Sequence, residues 1–128
     1  MSQQLALSTL LVDDYERALH WYTQTLGFEA RADVDLGDGK RWVVVAPPGS
    51  QAGLTLALAS PDQQALIGRQ TGGRVAFFLH TDDFARDHAA MLARGVQFIE
   101  APRHEPHGTV AIFADLYGNT WDLMEPAR

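Results

Sequence analysis

Cysteine is absent from the 128-residue chain, which excludes a disulfide scaffold, a thiolate zinc site and a cysteine nucleophile. No apolar run approaches the roughly 20 residues needed to cross a bilayer. The opening Met1-Ser2-Gln3-Gln4 lacks the basic start and apolar core of a signal peptide, so the expected location is cytoplasmic. Basic residues are the minority, 10 against 16 acidic ones, for a net charge of −6. Nucleic acid and anionic membrane are therefore not expected partners, because both reward a basic face. The acidic excess serves solubility first and mildly favours neutral or cationic ligands. A hydrophobic fraction of 46% with 20% charged residues argues against disorder. The length suits a single domain, residues 1–128, large enough to bury its own core.

What is present is an internal repeat. Val12-Asp13-Asp14-Tyr15-Glu16-Arg17 recurs 69 residues later as Thr81-Asp82-Asp83-Phe84-Ala85-Arg86. Each copy follows an apolar run and opens a helical pattern that closes at a glycine, Gly27 in Leu26-Gly27-Phe28 and Gly95 in Arg94-Gly95-Val96. Tyr15, Ala18, Leu19, Tyr22 and Leu26 form one apolar stripe, which predicts a helix over 14–26. Phe84, His88, Met91 and Leu92 form the matching stripe. Asp13 and Glu16 have capping-box spacing, and Gly27 suits the left-handed position after a helix.

Strand patterns surround both helices. Residues 5–12 are apolar, 28–35 alternate, and 41–46 and 53–59 follow the turns at 37–39 and 47–50. The second half repeats this with strands over 74–81, 96–101, 109–114 and 120–125. Ser60-Pro61-Asp62-Gln63 signals a short linking helix, and Gly72-Gly73 frees the chain to begin again. The boundaries are a first module over about 4–59, a linker helix over about 60–70 and a second module over about 74–126.

Two motifs carry a family resemblance. Asp14-Tyr15 through His20-Trp21-Tyr22 to Leu26-Gly27-Phe28, and Asp115-Leu116-Tyr117-Gly118-Asn119-Thr120-Trp121-Asp122-Leu123, resemble the opening and closing motifs of the vicinal oxygen chelate superfamily. That group contains glyoxalase I, extradiol dioxygenases and bleomycin- and fosfomycin-resistance proteins. The resemblance covers essentially the whole chain. It implies an α+β fold of two tandem βαβββ modules, whose strands form an open, cup-like mixed β-sheet with helices outside. It also implies a homodimer.

In metal-dependent members, the resemblance puts ligands on inward-facing strand positions. Transferred residue by residue, these are Leu7, Thr55, Ala76 and Asp122. Leucine and alanine have no donor atom, and a threonine hydroxyl is a poor ligand. A zinc site needs three or four N, S or O donors within roughly 2.0–2.3 Å. No metal ligand set is expected, and no cofactor, unless a divalent ion is held by a displaced site such as His107 with Asp122. His80 shares strand parity with Ala76 but lies about 13 Å along the strand, too far to replace it. His20 and His88 sit on helices and are weaker candidates.

Asp122 is the candidate catalytic or ion-pairing group. In an apolar cup, desolvation should raise its pKa unless a partner stabilises the charge. His107 is the second catalytic candidate. Leu7, Thr55, Ala76, Phe78, His80 and His104 are the candidate ligand-binding residues. Phe78 shares parity with Ala76 and suits a pocket wall, whereas Trp121 should face away from Asp122 into the core. Arg103-His104-Glu105-Pro106-His107-Gly108 reads equally as a pocket-edge loop or a solvated connector. Three functions follow. The first is a metal-independent protein that binds a small aromatic or cationic molecule. The second is a lyase, isomerase or dioxygenase of the glyoxalase type with a displaced metal. The third is an association subunit. Whether the chain is an enzyme stays open at this level.

Overall fold

The chain runs through nine strands and two α-helices, in a computed structural model that describes residues 2–128. Two compact units divide it, residues 1–67 and 68–128. The first contains β1 (Leu7–Val12), α1 (Tyr15–His20), β2 (Glu29–Gly37), β3 (Lys40–Ala46) and β4 (Gly53–Leu58). Its sheet has the order β1-β4-β3-β2, with β1 parallel to β4 and the other pairs antiparallel. The second contains β5 (Phe77–His80), α2 (Phe84–Ala93), β6 (Gln97–Phe98), β7 (Arg103–Glu105), β8 (Gly108–Ala114) and β9 (Thr120–Pro126). Its order is β5-β9-β8-β6, again with the first pair parallel, and β7 also pairs with β8. The first unit is thus βαβββ and the second follows the same order with its edge strand split into β6 and β7, so the fold is α+β with two open mixed sheets.

The repeated aspartates divide their labour identically in each unit. Asp14 and Asp83 adopt extended backbone and accept the N–H of Arg17 and Arg86, each at 3.0 Å. They are the N-caps. Asp13, expected to cap, instead pairs with Arg17 at 2.8 Å, as Asp82 pairs with Arg86 at 2.8 Å. The correction is of one residue: the cap must be the last extended residue before the helix, and that residue is the second aspartate. Gly27 and Gly95 follow the helices with φ of 95° and 97°, the region that only glycine enters freely.

The helix predicted over 14–26 is not uniform. α1 ends at His20 and continues as a π-helical turn, Trp21–Thr25, closed by the Leu26 N–H donating to the Trp21 carbonyl at 2.9 Å. The wider turn keeps both Tyr22 and Leu26 buried. The linking segment is a 3₁₀ helix, Pro61–Leu66, with the Gln63 side chain accepting from the Ser60 N–H at 3.0 Å.

Each helix covers one face of its own sheet. In the first unit, Leu10, Val12, Val43, Val45, Leu54 and Leu56 are buried with Tyr15, Ala18 and Tyr22 of the helical segment. In the second, Phe113, Trp121 and Leu123 are buried with Phe84 and Met91. Phe113 stacks on Trp121 with ring centroids 5.7 Å apart, so Trp121 is a core residue as its parity requires. Strand alternation then sends the neighbours of these residues to the opposite, helix-free face.

Candidate functional site

The helix-free faces share a register at their central strands and differ in chemistry. On the first sheet, Thr55 of β4 lies between Thr9 of β1 and Val44 of β3. On the second, Asp122 of β9 lies between Phe78 of β5 and Ile112 of β8. Leu7 pairs with Gly53, and Ala76 donates its N–H to the Thr120 carbonyl at 2.8 Å. The register thus makes Thr55 and Asp122 counterparts, and likewise Leu7 and Ala76.

Asp122 is half-buried, and its Oδ1 is enclosed with no hydrogen-bond partner among the described residues. Desolvation raises its pKa above the ordinary carboxyl value. The Arg103 guanidinium opposes that rise, the Glu100 carboxylate adds to it, and the His107 imidazole opposes it. Phe78 beside it is 66% exposed, a large apolar surface facing outward. Ile99 is 59% exposed and donates its N–H to the Ile112 carbonyl at 2.9 Å, which extends the same row toward the sheet edge.

The stretch 103–108, read from sequence as a pocket-edge loop or a solvated connector, is a short hairpin at the sheet edge. Residues 103–105 form β7, which pairs with the start of β8 in a hairpin. His104 is exposed, with Nδ1 3.2 Å from Thr109 Oγ1. His107 lies in the turn, exposed, and its carbonyl accepts from the Ala127 N–H at 2.9 Å. Of the charges acting on Asp122, His107 contributes the least, after Arg103 and Glu100. His80, at the end of β5 and paired with Met124, is exposed. Leu7 and Thr55 belong to the first unit. His20 is exposed on α1, and His88 stacks on Phe84 with centroids 5.2 Å apart.

The strand expected over 96–101 is a second correction. Only Gln97 and Phe98 pair as β6, and the edge then breaks until β7. Pro102 has no N–H to offer a ladder. The gap is filled by a side chain: the Ile112 N–H donates to Glu100 Oε1 at 3.1 Å. Glu100 also holds Arg103 Nε at 3.1 and 3.2 Å through its two oxygens, and Arg103 reaches Glu105 at 2.8 Å. Glu100 thus adjoins the site but was not singled out from sequence, whereas Arg103 was named only as part of the 103–108 stretch. The one available signal was a charged pair flanking Pro102.

The closing motif is a rigid corner. Asp115 and Asn119 are buried, and the Asp115 carboxylate accepts the N–H groups of Tyr117 and Asn119, both at 2.9 Å, and the Asn119 side-chain amide at 3.0 Å. This clamp sets where β9 begins and hence which face Asp122 takes.

A divalent metal does not fit the donors present. Leu7 and Ala76 carry no donor atom, Thr55 offers a neutral hydroxyl, and Asp122 is one carboxylate. Among the described residues, no group of three or more His, Cys, Asp or Glu is placed to hold an ion.

Comparison with known proteins agrees with this architecture. A family model described as Glyoxalase/Bleomycin resistance protein/Dioxygenase superfamily matches residues 4–123. An uncharacterised protein of Shewanella frigidimarina is 47% identical, over 98% of this chain and 95% of its own. The crystal structure of UcmS2 superposes with a TM-score of 0.84 at 29% identity, covering 98% of this chain and 99% of that one. TnmS3, an antibiotic binding protein from Streptomyces sp. CB03234, superposes with a TM-score of 0.80 at 33% identity, covering 99% of both chains.

Proposed function

The chain belongs to the Glyoxalase/Bleomycin resistance protein/Dioxygenase superfamily, and from that premise we propose that it binds a small organic molecule on the helix-free face around Asp122, without a divalent metal. Asp122 carries this reading. A carboxyl oxygen enclosed without a donor is costly. A ligand that offers an N–H or O–H to this carboxyl and lays an apolar surface on Phe78 and Ile112 relieves that cost. The exposed Phe78 supplies the apolar wall. The likeness to the antibiotic binding protein TnmS3 supports a ligand of that general kind, and the net charge of −6 favours a neutral or cationic one. Within the second unit, Ala76, His80 and His104 contribute wall and rim, and His107 adjusts the charge on Asp122. The protein acts as a cytoplasmic homodimer.

The test is a thermal-shift screen of small aromatic and amine-bearing molecules against the wild type and Asp122→Asn. A ligand at 100 times its Kd should stabilise the wild type by about 2.7 kcal/mol and the variant far less. Silence across the panel sinks the reading. Protein purified without chelator should carry no stoichiometric zinc, nickel, iron or manganese. A stoichiometric metal lost together with stability in Asp122→Ala would overturn the metal-free site and favour a lyase, isomerase or dioxygenase.

A further inference from the structure

The edge of the second sheet is broken beside Asp122, and one side chain stands in for the missing backbone. Between β6 and β7 the Ile99 N–H still donates to the Ile112 carbonyl of β8 at 2.9 Å, but residues 100–102 have no place in the β8 ladder. In the first unit the corresponding edge strand, β2, runs as one nine-residue strand with two register shifts. A ladder there would supply the Ile112 N–H with a carbonyl. Here the acceptor is Glu100 Oε1 at 3.1 Å, and Ile112 is the direct cross-strand neighbour of Asp122.

The same carboxylate fixes a cation. Arg103 Nε lies 3.1 and 3.2 Å from its two oxygens, and Glu105 takes the other side of the guanidinium at 2.8 Å. Two carboxylates thus hold one arginine. Among the described residues no ion pair joins Arg103 to Asp122, although the guanidinium acts on Asp122 electrostatically. An arginine released from the Glu100 carboxylate is free to pair with another carboxylate that its charge already acts on, and Asp122, with an oxygen that has no partner among the described residues, is one.

We propose that Glu100 is the positioning residue of the Asp122 site, holding Ile112 in register with one oxygen and holding Arg103 away from Asp122 with both. Its effect is to leave the Asp122 carboxyl open toward the helix-free face, where an arginine would otherwise cover it. The inference rests on Asp122 as the ligand-facing group, but its test uses no ligand. The charged groups acting on Asp122 are Arg103, Glu100 and His107, and only the first two are changed in the test.

The experiment is a carboxyl-carbon NMR titration of Asp122 in the wild type, Glu100→Gln, Arg103→Gln and the double variant. Glu100→Gln keeps an oxygen for the Ile112 N–H while releasing Arg103. Its Asp122 midpoint should fall below the wild type, because an acid loses a like charge and gains a mobile cation. Arg103→Gln should raise the midpoint more in the Glu100→Gln background than in the wild type. The Ile112 amide should stay protected from exchange in Glu100→Gln and lose protection in Glu100→Ala. An unmoved Asp122 midpoint in well-folded Glu100→Gln overturns the proposal, and so does an equal Arg103→Gln effect in both backgrounds. A silent ligand screen with these shifts present would sink the binding reading alone.

Discussion

The two halves of this chain start from the same instructions and end with different faces. Each opens its helix with an aspartate pair, caps it with the second aspartate and closes it at a left-handed glycine. Each lays its first strand parallel to its last. On the first sheet that register places Thr9, Thr55 and Val44 in a row; on the second it places Phe78, Asp122 and Ile112. The helix side was constrained in both halves by the need to bury apolar surface. The other side differs: an exposed aromatic ring occurs in both halves, Trp42 and Phe78, but only the second carries the central carboxyl and the broken edge. The repeat preserves packing on the helix side and differs in side-chain chemistry on the other.

If the cores are true equivalents, matched deletions should cost alike. Leu56 and Leu123 are counterparts, 2% and 1% exposed. Leu56→Ala and Leu123→Ala should each lower stability by about 2–5 kcal/mol, read by urea denaturation. A twofold or greater inequality would break the equivalence. The faces should behave oppositely. Asp122→Thr, which copies the first half's residue into the second, should weaken ligand binding at least about tenfold, worth roughly 1.4 kcal/mol. Thr55→Val should change it little, and calorimetry with a ligand from the thermal screen compares the two.

The caps offer a finer test. Asp14→Ala and Asp83→Ala should each cost about 1 kcal/mol, whereas a loss at one site alone would show that only one aspartate pair caps its helix in solution. The smallest effect concerns pH. Burial raises Asp122 in the folded state, so the folded protein binds its proton more tightly than the unfolded chain. Stability from this group is present at low pH and declines as pH rises from the unfolded value near 3.9 through the folded value. Asp122→Asn should remove that decline and stabilise the protein at neutral pH. Tm measured against pH in both proteins checks the sign. No such change is expected for Thr55→Val, since threonine does not titrate.

The helices were legible because their signals are local. An aspartate, an i, i+3, i+4 stripe and a glycine lie within a dozen residues of one another. Strand parity was legible for the same reason, and it separated Trp121 from Asp122 correctly. Which aspartate caps was not legible, since both have the side chain and only the backbone conformation at Asp14 chooses. Glu100 was out of reach for a different reason. Its partner, the Ile112 N–H, is twelve residues away on another strand, and nothing in a sequence of apolar residues with one proline says that an edge will break and take a side chain as its acceptor.

The sequence by itself determined the repeat, the helix positions, the alternation of strand faces, the absence of a donor atom at Leu7 and Ala76 and the presence of only a neutral hydroxyl at Thr55. These depend on residue identity and near neighbours, which the chain carries wherever it folds. Only the tertiary structure decided that Asp122 has an enclosed oxygen without a partner, that Phe78 stands exposed beside it and that Arg103 is held by two glutamates. Those are properties of groups brought together from β5, β7, β8, β9 and the broken edge, and their energies depend on burial and distance that no local pattern encodes.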